Sequence, residues 1–223
     1  MDVRILYSDK DIFVCLKPVG VVSEETAEGV GLADVLREQN GGYIGVVHRL
    51  DRGVGGVMVY ARTKQAAAKL SAAVQAHTLE KVYLAIVHGV PTERSATLTD
   101  LLYHDRMKNK TFVVDRTRRG VKEAILDYEV ILSEEGAPFG ASSLLRVRLH
   151  TGRTHQIRVQ FASRGMPLVG DNKYGARDRC EIMLFCHRLT FPHPITGTRM
   201  TFSETPEWAR GTAIAVDEVS KNK

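Results

Sequence analysis

The strongest constraint on the fold is a rhythm. Runs of β-forming residues recur along almost the whole chain, and turn residues interrupt them roughly every ten positions. These runs do not alternate regularly with helices, which argues against a doubly wound parallel sheet. The pattern predicts an α+β fold built on a mostly antiparallel mixed sheet with few flanking helices. Strands are expected at 3–7, 12–16, 56–62, 82–90, 111–115, 124–132, 143–149, 182–188 and 199–203. Helices are expected in three places. Leu32, Val35 and Leu36 sit at helical spacing in 31–39, ahead of the stop Asn40-Gly41-Gly42. Thr63 is placed to cap a helix whose apolar stripe is Ala66, Ala67, Leu70, Ala73, Val74 and Ala76. A third helix is expected over 154–164, closed by Gly165.

At 223 residues the chain can bury a core without disulfides or metals. No Gly/Ser-rich or Pro-rich linker and no internal repeat marks a boundary, so residues 1–223 are read as one domain, with no separate N-terminal RNA-binding domain. The three cysteines, Cys15, Cys180 and Cys186, are odd in number and fit no zinc spacing; reduced thiols are expected. The N-terminal stretch MDVRILYSDK is charged and lacks an apolar core, and no run approaches the ~18 apolar residues of a membrane span. A cytoplasmic protein is the expectation. The net charge of +5 suits a solvated surface, and it also suits a polyanionic partner.

Three segments combine turn glycines with dense polar groups. In the first, residues 46–56, a strand enters a loop holding His48, Arg49, Asp51 and Arg52 before the glycines turn it back. Asp51 can simply pair with Arg49 or Arg52 at a turn. Alternatively, nearby cations keep it ionised, ready to act as nucleophile or base. The second, 149–160, places Arg153, His155 and Arg158 around a helix start, either as surface cations or as an anion-attracting terminus. The third, 81–85, carries Tyr83 in a strand, where packing is the plain alternative to catalysis. The eight histidines form no HExxH pair, no phosphate-binding glycine loop follows a strand, and no Gly-x-Ser-x-Gly elbow is present. No metal and no nucleotide cofactor is indicated.

Taken in order, these segments resemble the RluA-type family of RNA pseudouridine synthases. The likeness begins with DIFVCLKPVGVVS at 11–23. It continues through HRLD at 48–51, KVYLAIVHG at 81–89 and GRTHQIRVQFASRGMPLVGDNKYG at 152–175, and closes with LTFPHPITG at 189–197 and Pro206-Glu207-Trp208. The resemblance implies a sheet with a central catalytic cleft, RNA (tRNA or rRNA) as partner, and no cofactor. It implies that Asp51 is the catalytic carboxylate, that Tyr83 stacks on the target base and serves as a late base, and that Arg158 pairs with the aspartate. His48 and Arg49 would then belong to the loop that helps displace the base, with Arg153 and His155 on the substrate side. The reaction breaks the uridine C1′–N1 bond and re-forms C1′–C5 after the base has been flipped out of its stack.

Three positions depart from the family pattern. Val54 and Gly55 stand where Thr and Ser are usual, and Gln160 stands where histidine is common. Between 104 and 122, Arg106, Lys108, Lys110, Arg116, Arg118, Arg119 and Lys122 outweigh Asp105 and Asp115. This stretch is either a solvated hairpin or an RNA grip in which Arg116, Arg118 and Arg119 hold phosphates. Two other classes are weighed: an RNA-binding protein of the same fold with little catalysis, and an Asp/His hydrolase. The first is disfavoured by intact Asp51, Tyr83 and Arg158; the second lacks a water-activating motif.

Overall fold

Strands form where apolar residues can be buried on one or both faces of a pleated ribbon, and among the described residues eleven strands and three α-helices follow that logic. In chain order they are β1 (Ile5–Ser8), β2 (Ile12–Lys17), α1 (Leu32–Asn40), β3 (Gly45–Val46), β4 (Gly55–Ala61), α2 (Lys64–Gln75), β5 (Glu80–His88), β6 (Ser95–Asp105), β7 (Lys110–Val114), β8 (Val121–Glu134), β9 (Ser142–Leu149), α3 (Gln156–Ala162), β10 (Leu184–Pro192) and β11 (Arg199–Ser203). The computed structural model describes residues 3–25, 30–136 and 138–210. The chain forms two compact units. One runs to Lys81 and takes in Phe185–Glu204; the other comprises Val82–Leu184 and the residues from Thr205.

In the first unit the strands lie in the order β1-β2-β4-β10, with β3 on β4 and β11 on β10. All pair antiparallel except β4 with β10, which makes the sheet mixed. Ile12, Val14, Val57, Val59, Ala61, Leu189 and Phe191 face Ala66, Leu70 and Ala73 of α2. The helix is held at its start by Thr63, whose Oγ1 accepts from the Ala66 amide at 3.1 Å. The intervening residues Phe13, Met58 and Tyr60 are buried as well, so β2 and β4 are covered on both faces, as their unbroken apolar runs require. Fully burying one such leucine or valine contributes about 1.5–3 kcal/mol. Gly56 adopts φ +135°, and a Cβ there would lie 2.5 Å from the Cys186 backbone; the parallel pairing leaves room only for glycine.

The second unit orders its strands β5-β9-β8-β6-β7, all antiparallel. Val159 of α3 packs on Leu102 and Ala124, with Val113 and Tyr174 beside them. Phe161 meets Tyr128 edge-on at 5.5 Å. Leu84, Leu144 and Ala209 form a second cluster with Ile86, Ile131 and Trp208.

The expected α+β class with a mostly antiparallel mixed sheet is what forms. Two elements differ from the sequence expectation. The third helix begins at Gln156 rather than 154, because His155 sits at φ +54° and cannot lie in a right-handed helix. β6 was not expected; its outward face opens with Ser95, Thr97 and Thr99 before Leu101 and Tyr103, and its other face buries only Leu98 and Leu102. Among the described residues no helix is long and apolar enough to cross a membrane. The three cysteines are free, and burial pushes the Cys15 thiol up to about 12.

Candidate active site

Asp51 follows β3 on a loop that is fastened at several points. Ser23 Oγ donates to the Leu50 carbonyl at 3.0 Å and accepts from the Leu50 amide at 3.1 Å. Tyr60 OH in turn donates to the Ser23 carbonyl at 2.8 Å. The turn after the aspartate closes with the Val54 amide donating to the Asp51 carbonyl at 2.9 Å. The backbone is thus fixed one residue before and three residues after the carboxylate.

Beneath this loop lies a buried cation. Lys17, at the end of β2, is 1% exposed, and its ammonium donates to the carbonyls of Pro18 at 2.9 Å, Val21 at 2.6 Å and Arg52 at 3.4 Å. Burial pulls its pKa down to about 8, and the Asp51 carboxylate opposes that fall. Lys17 is therefore still charged at neutral pH, a cation within electrostatic reach of the Asp51 carboxylate. The two arginines of the loop are engaged elsewhere: Arg49 pairs with Glu24, and Arg52 Nε donates to the Gly20 carbonyl at 2.9 Å. In the sequence Lys17 stands only as one letter of the quoted DIFVCLKPVGVVS. The signal that could have found it was a lysine in an otherwise apolar strand.

His48 occupies a different place from the substrate-facing one that the resemblance implies. It is buried, and its Nε2 accepts from the Val59 amide of β4 at 3.2 Å. Burial, reinforced by Lys81, holds its imidazole well below the ordinary histidine range. A neutral ring that accepts at Nε2 carries its proton on Nδ1. His48 thus braces the loop against the sheet, whereas Arg49 is exposed.

In the second unit Tyr83 is buried on β5, opposite Val147 of β9. Arg158 of α3 meets Asp171 in a fork: Nε to Oδ2 at 2.6 Å and Nη2 to Oδ1 at 2.8 Å. The two side chains are 7% and 0% exposed. The Arg158 guanidinium also lies 5.2 Å from the centre of the Tyr174 ring. Tyr174 OH accepts from the Thr111 amide at 2.8 Å and lies 2.9 Å from His155 Nδ1. His155 is buried there. Arg153 Nε donates to the Glu123 carbonyl of β8 at 2.8 Å. Asp171 and Tyr174 were missed as site residues, although both stand in the quoted GDNKYG turn; nothing in that spacing tells which cation the aspartate will hold.

The departures from the family pattern have local causes. Val54 is 2% exposed, so an apolar β-branched side chain fits where a threonine is usual. A Cβ on Gly55 would meet Val19 Cγ2 at 3.2 Å and Phe185 Cδ2 at 3.3 Å, so neighbouring side chains fill the space of a serine. Gln160 is fully buried, and its amide donates to Asp100 Oδ2 at 2.8 Å, tying α3 to β6.

Among the described residues, one group has metal-ligand spacing: Asp9, Asp11 and His193. Its hydrogen bonds do not suit a metal. His193 Nδ1 accepts from the amides of Ile195 and Thr196, which leaves the ring proton on Nε2, 2.9 Å from Asp9 Oδ2. Coordination through Nε2 would move that proton to Nδ1, against two N–H donors. The group fastens the β10–β11 turn to the β1–β2 turn.

The profile of the RNA pseudouridylate synthase family matches residues 11–163. Ribosomal large subunit pseudouridine synthase D of Pseudomonas aeruginosa is 36% identical over 231 residues, covering 93% of this chain and 69% of its own. The protein of that name from Zymomonas mobilis is 30% identical over 227 residues, covering 92% and 69%. The human RNA pseudouridylate synthase domain containing 1 shares the fold, with a TM-score of 0.78 at 24% identity over 92% of this chain and 84% of its own. The chain belongs to the RNA pseudouridylate synthase family. It is an isomerase that acts on RNA.

Proposed function

We propose that this enzyme isomerises a uridine in ribosomal RNA of the large subunit, with Asp51 as the reacting carboxylate and Tyr83 and Arg158 as its partners. The observation that carries the role of Asp51 is the buried ammonium of Lys17, a cation within electrostatic reach of a loop pinned at Ser23 and Val54. The ribosomal reading rests on the two relatives named for the large subunit.

An ionised carboxylate on a rigid loop can attack the sugar–base unit or take a proton from it, either of which loosens C1′–N1. The freed base turns, C5 joins C1′, and the proton that leaves C5 is balanced by one gained at N1. Tyr83 provides an aromatic wall for the turning base and a hydroxyl that can relay the C5 proton, giving up its own toward N1 as it accepts that one. No electron acceptor and no group donor enters this balance.

The test uses the intact chain with large-subunit rRNA and with bulk tRNA. Asp51→Asn is expected to cut turnover about 10²–10⁴-fold while leaving RNA affinity and thermal stability nearly unchanged. Near wild-type turnover in that variant removes Asp51 from the mechanism. Modification of tRNA with none in the rRNA removes the ribosomal assignment.

A further inference from the structure

The β6–β7–β8 part of the second unit has two faces of different character. Leu102, Val113 and Ala124 point to Val159 of α3 and are part of the core. The register places their alternates on the opposite face: Leu101 opposite Val114, Tyr103 opposite Phe112, and Tyr103 opposite Val121 on its other side. None of these five is buried, and Phe112 is 37% exposed on β7, the last strand in the order.

Cations border this apolar face. The Arg118 guanidinium lies 4.7 Å from the centre of the Tyr103 ring, and Lys110 Nζ lies 5.9 Å from that of Phe112. Gly120, at φ +88°, turns the chain so that it passes beside the Tyr103 ring. Arg116 and Arg119 are exposed on the same loop. Of the three arginines, Arg118 is the one held on an aromatic face, so its fork is ordered before any ligand arrives.

We infer that this face is a stacking platform for an unpaired nucleotide of the substrate RNA, with the base on Phe112 and its phosphate on Arg118. The inference rests on RNA being the substrate and adds how an unpaired segment of that RNA is held. Exposed aromatics stack on bases of any sequence, and neighbouring cations neutralise the phosphates. The excess of cations over acids between 104 and 122 favours a polyanion over a protein surface.

The test is equilibrium binding of the whole chain to two synthetic probes over a range of salt: a uridine-containing single-stranded RNA and a fully paired RNA duplex of equal length. Phe112→Ala should weaken single-strand binding roughly tenfold with an unchanged salt slope and leave duplex binding alone. Phe112→Trp should bind as the wild type does, which separates stacking from misfolding. Arg118→Ala should weaken both and reduce the slope by about 0.7–0.9, one phosphate contact. Tyr103→Leu should reproduce part of the Arg118 loss without removing a charge. Single-strand binding by Phe112→Ala that equals wild type overturns the platform. So does a change in the solution mass of the RNA-free chain on that substitution, which assigns the face to a second copy. Because only binding is read, a wild type that binds in this way but forms no pseudouridine refutes the proposed function and leaves the platform standing.

Discussion

Each unit buries a cation beside the motifs that carry the family resemblance, and the two solve the problem of a buried charge differently. Lys17 is surrounded by carbonyl oxygens, which offer dipoles but no net charge. Burial therefore wins, and the lysine falls to about 8. Arg158 has a full carboxylate, Asp171, bound through two parallel hydrogen bonds. A guanidinium so paired stays charged at every pH the protein survives. The difference teaches that the Lys17 charge is adjustable while the Arg158 charge is fixed, so the two residues should fail in distinguishable ways.

The largest expected effect is at the fixed pair. Arg158→Met leaves Asp171 fully buried with no cation and should cost about 3–5 kcal/mol in chemical denaturation. Arg158→Lys should recover part of this, because a single ammonium cannot reproduce the fork. A loss under ~1 kcal/mol in Arg158→Met would show that Asp171 finds another donor and would erase the contrast with Lys17.

The next effect is a pH dependence. Lys17 has a folded pKa below its unfolded value, so between about pH 8 and 10 the unfolded chain binds the extra proton. Stability attributable to Lys17 therefore rises with pH across this window, by about 2–3 kcal/mol in total. Lys17→Met lacks the rise. The stability of wild type minus that of Lys17→Met should grow from pH 7.5 to pH 10; Lys81 and Cys15 titrate in both proteins and cancel. A flat difference would mean that the carbonyl socket stabilises the charged form fully.

Catalysis sharpens the same comparison. Under the proposed roles of Lys17 and Arg158 as partners of Asp51, removal of the cation that serves the carboxylate should move the acidic limb of the kcat profile upward. Lys17→Met is expected to shift that limb by a fraction of a pH unit with a modest drop in kcat at neutral pH. If Arg158→Met shifts it and Lys17→Met does not, the work of holding Asp51 charged belongs to the arginine.

These cations also mark where sequence stopped being informative. The class of the sheet, both longer helices and the turn bearing Arg116 to Arg119 were legible, because alternation, capping by Thr63 and glycine positions are local properties. The partners of Lys17 and Arg158 were not. Lys17 bonds to Arg52, thirty-five positions away, and Arg158 to Asp171 across a turn, and only folding brings them together. His48 was legible as part of HRLD, yet its burial against Val59 depends on β4 returning beside the loop. β6 escaped because its outward residues Ser95, Thr97 and Thr99 read as loop, while its pairing with β8 supplies what propensity does not.

The smallest expected effect on stability completes the series with an exposed pair. Arg49 and Glu24 form an ion pair with side chains 64% and 43% exposed. Water screens such a pair, and the entropy lost in ordering two long side chains offsets most of the attraction, so Glu24→Gln and Arg49→Ala should each change stability by less than about 1 kcal/mol. The resemblance gives Arg49 a task in displacing the target base, and its exposure leaves it free to leave Glu24 for RNA. Arg49→Ala should then lose turnover without losing stability, and Glu24→Gln should keep turnover at or above the wild-type rate because the arginine is released more easily. Measuring kcat beside the unfolding midpoint separates the two roles. Equal losses of turnover in both variants would make the pair a brace for the Asp51 loop, in the manner of His48, and would remove Arg49 from contact with RNA.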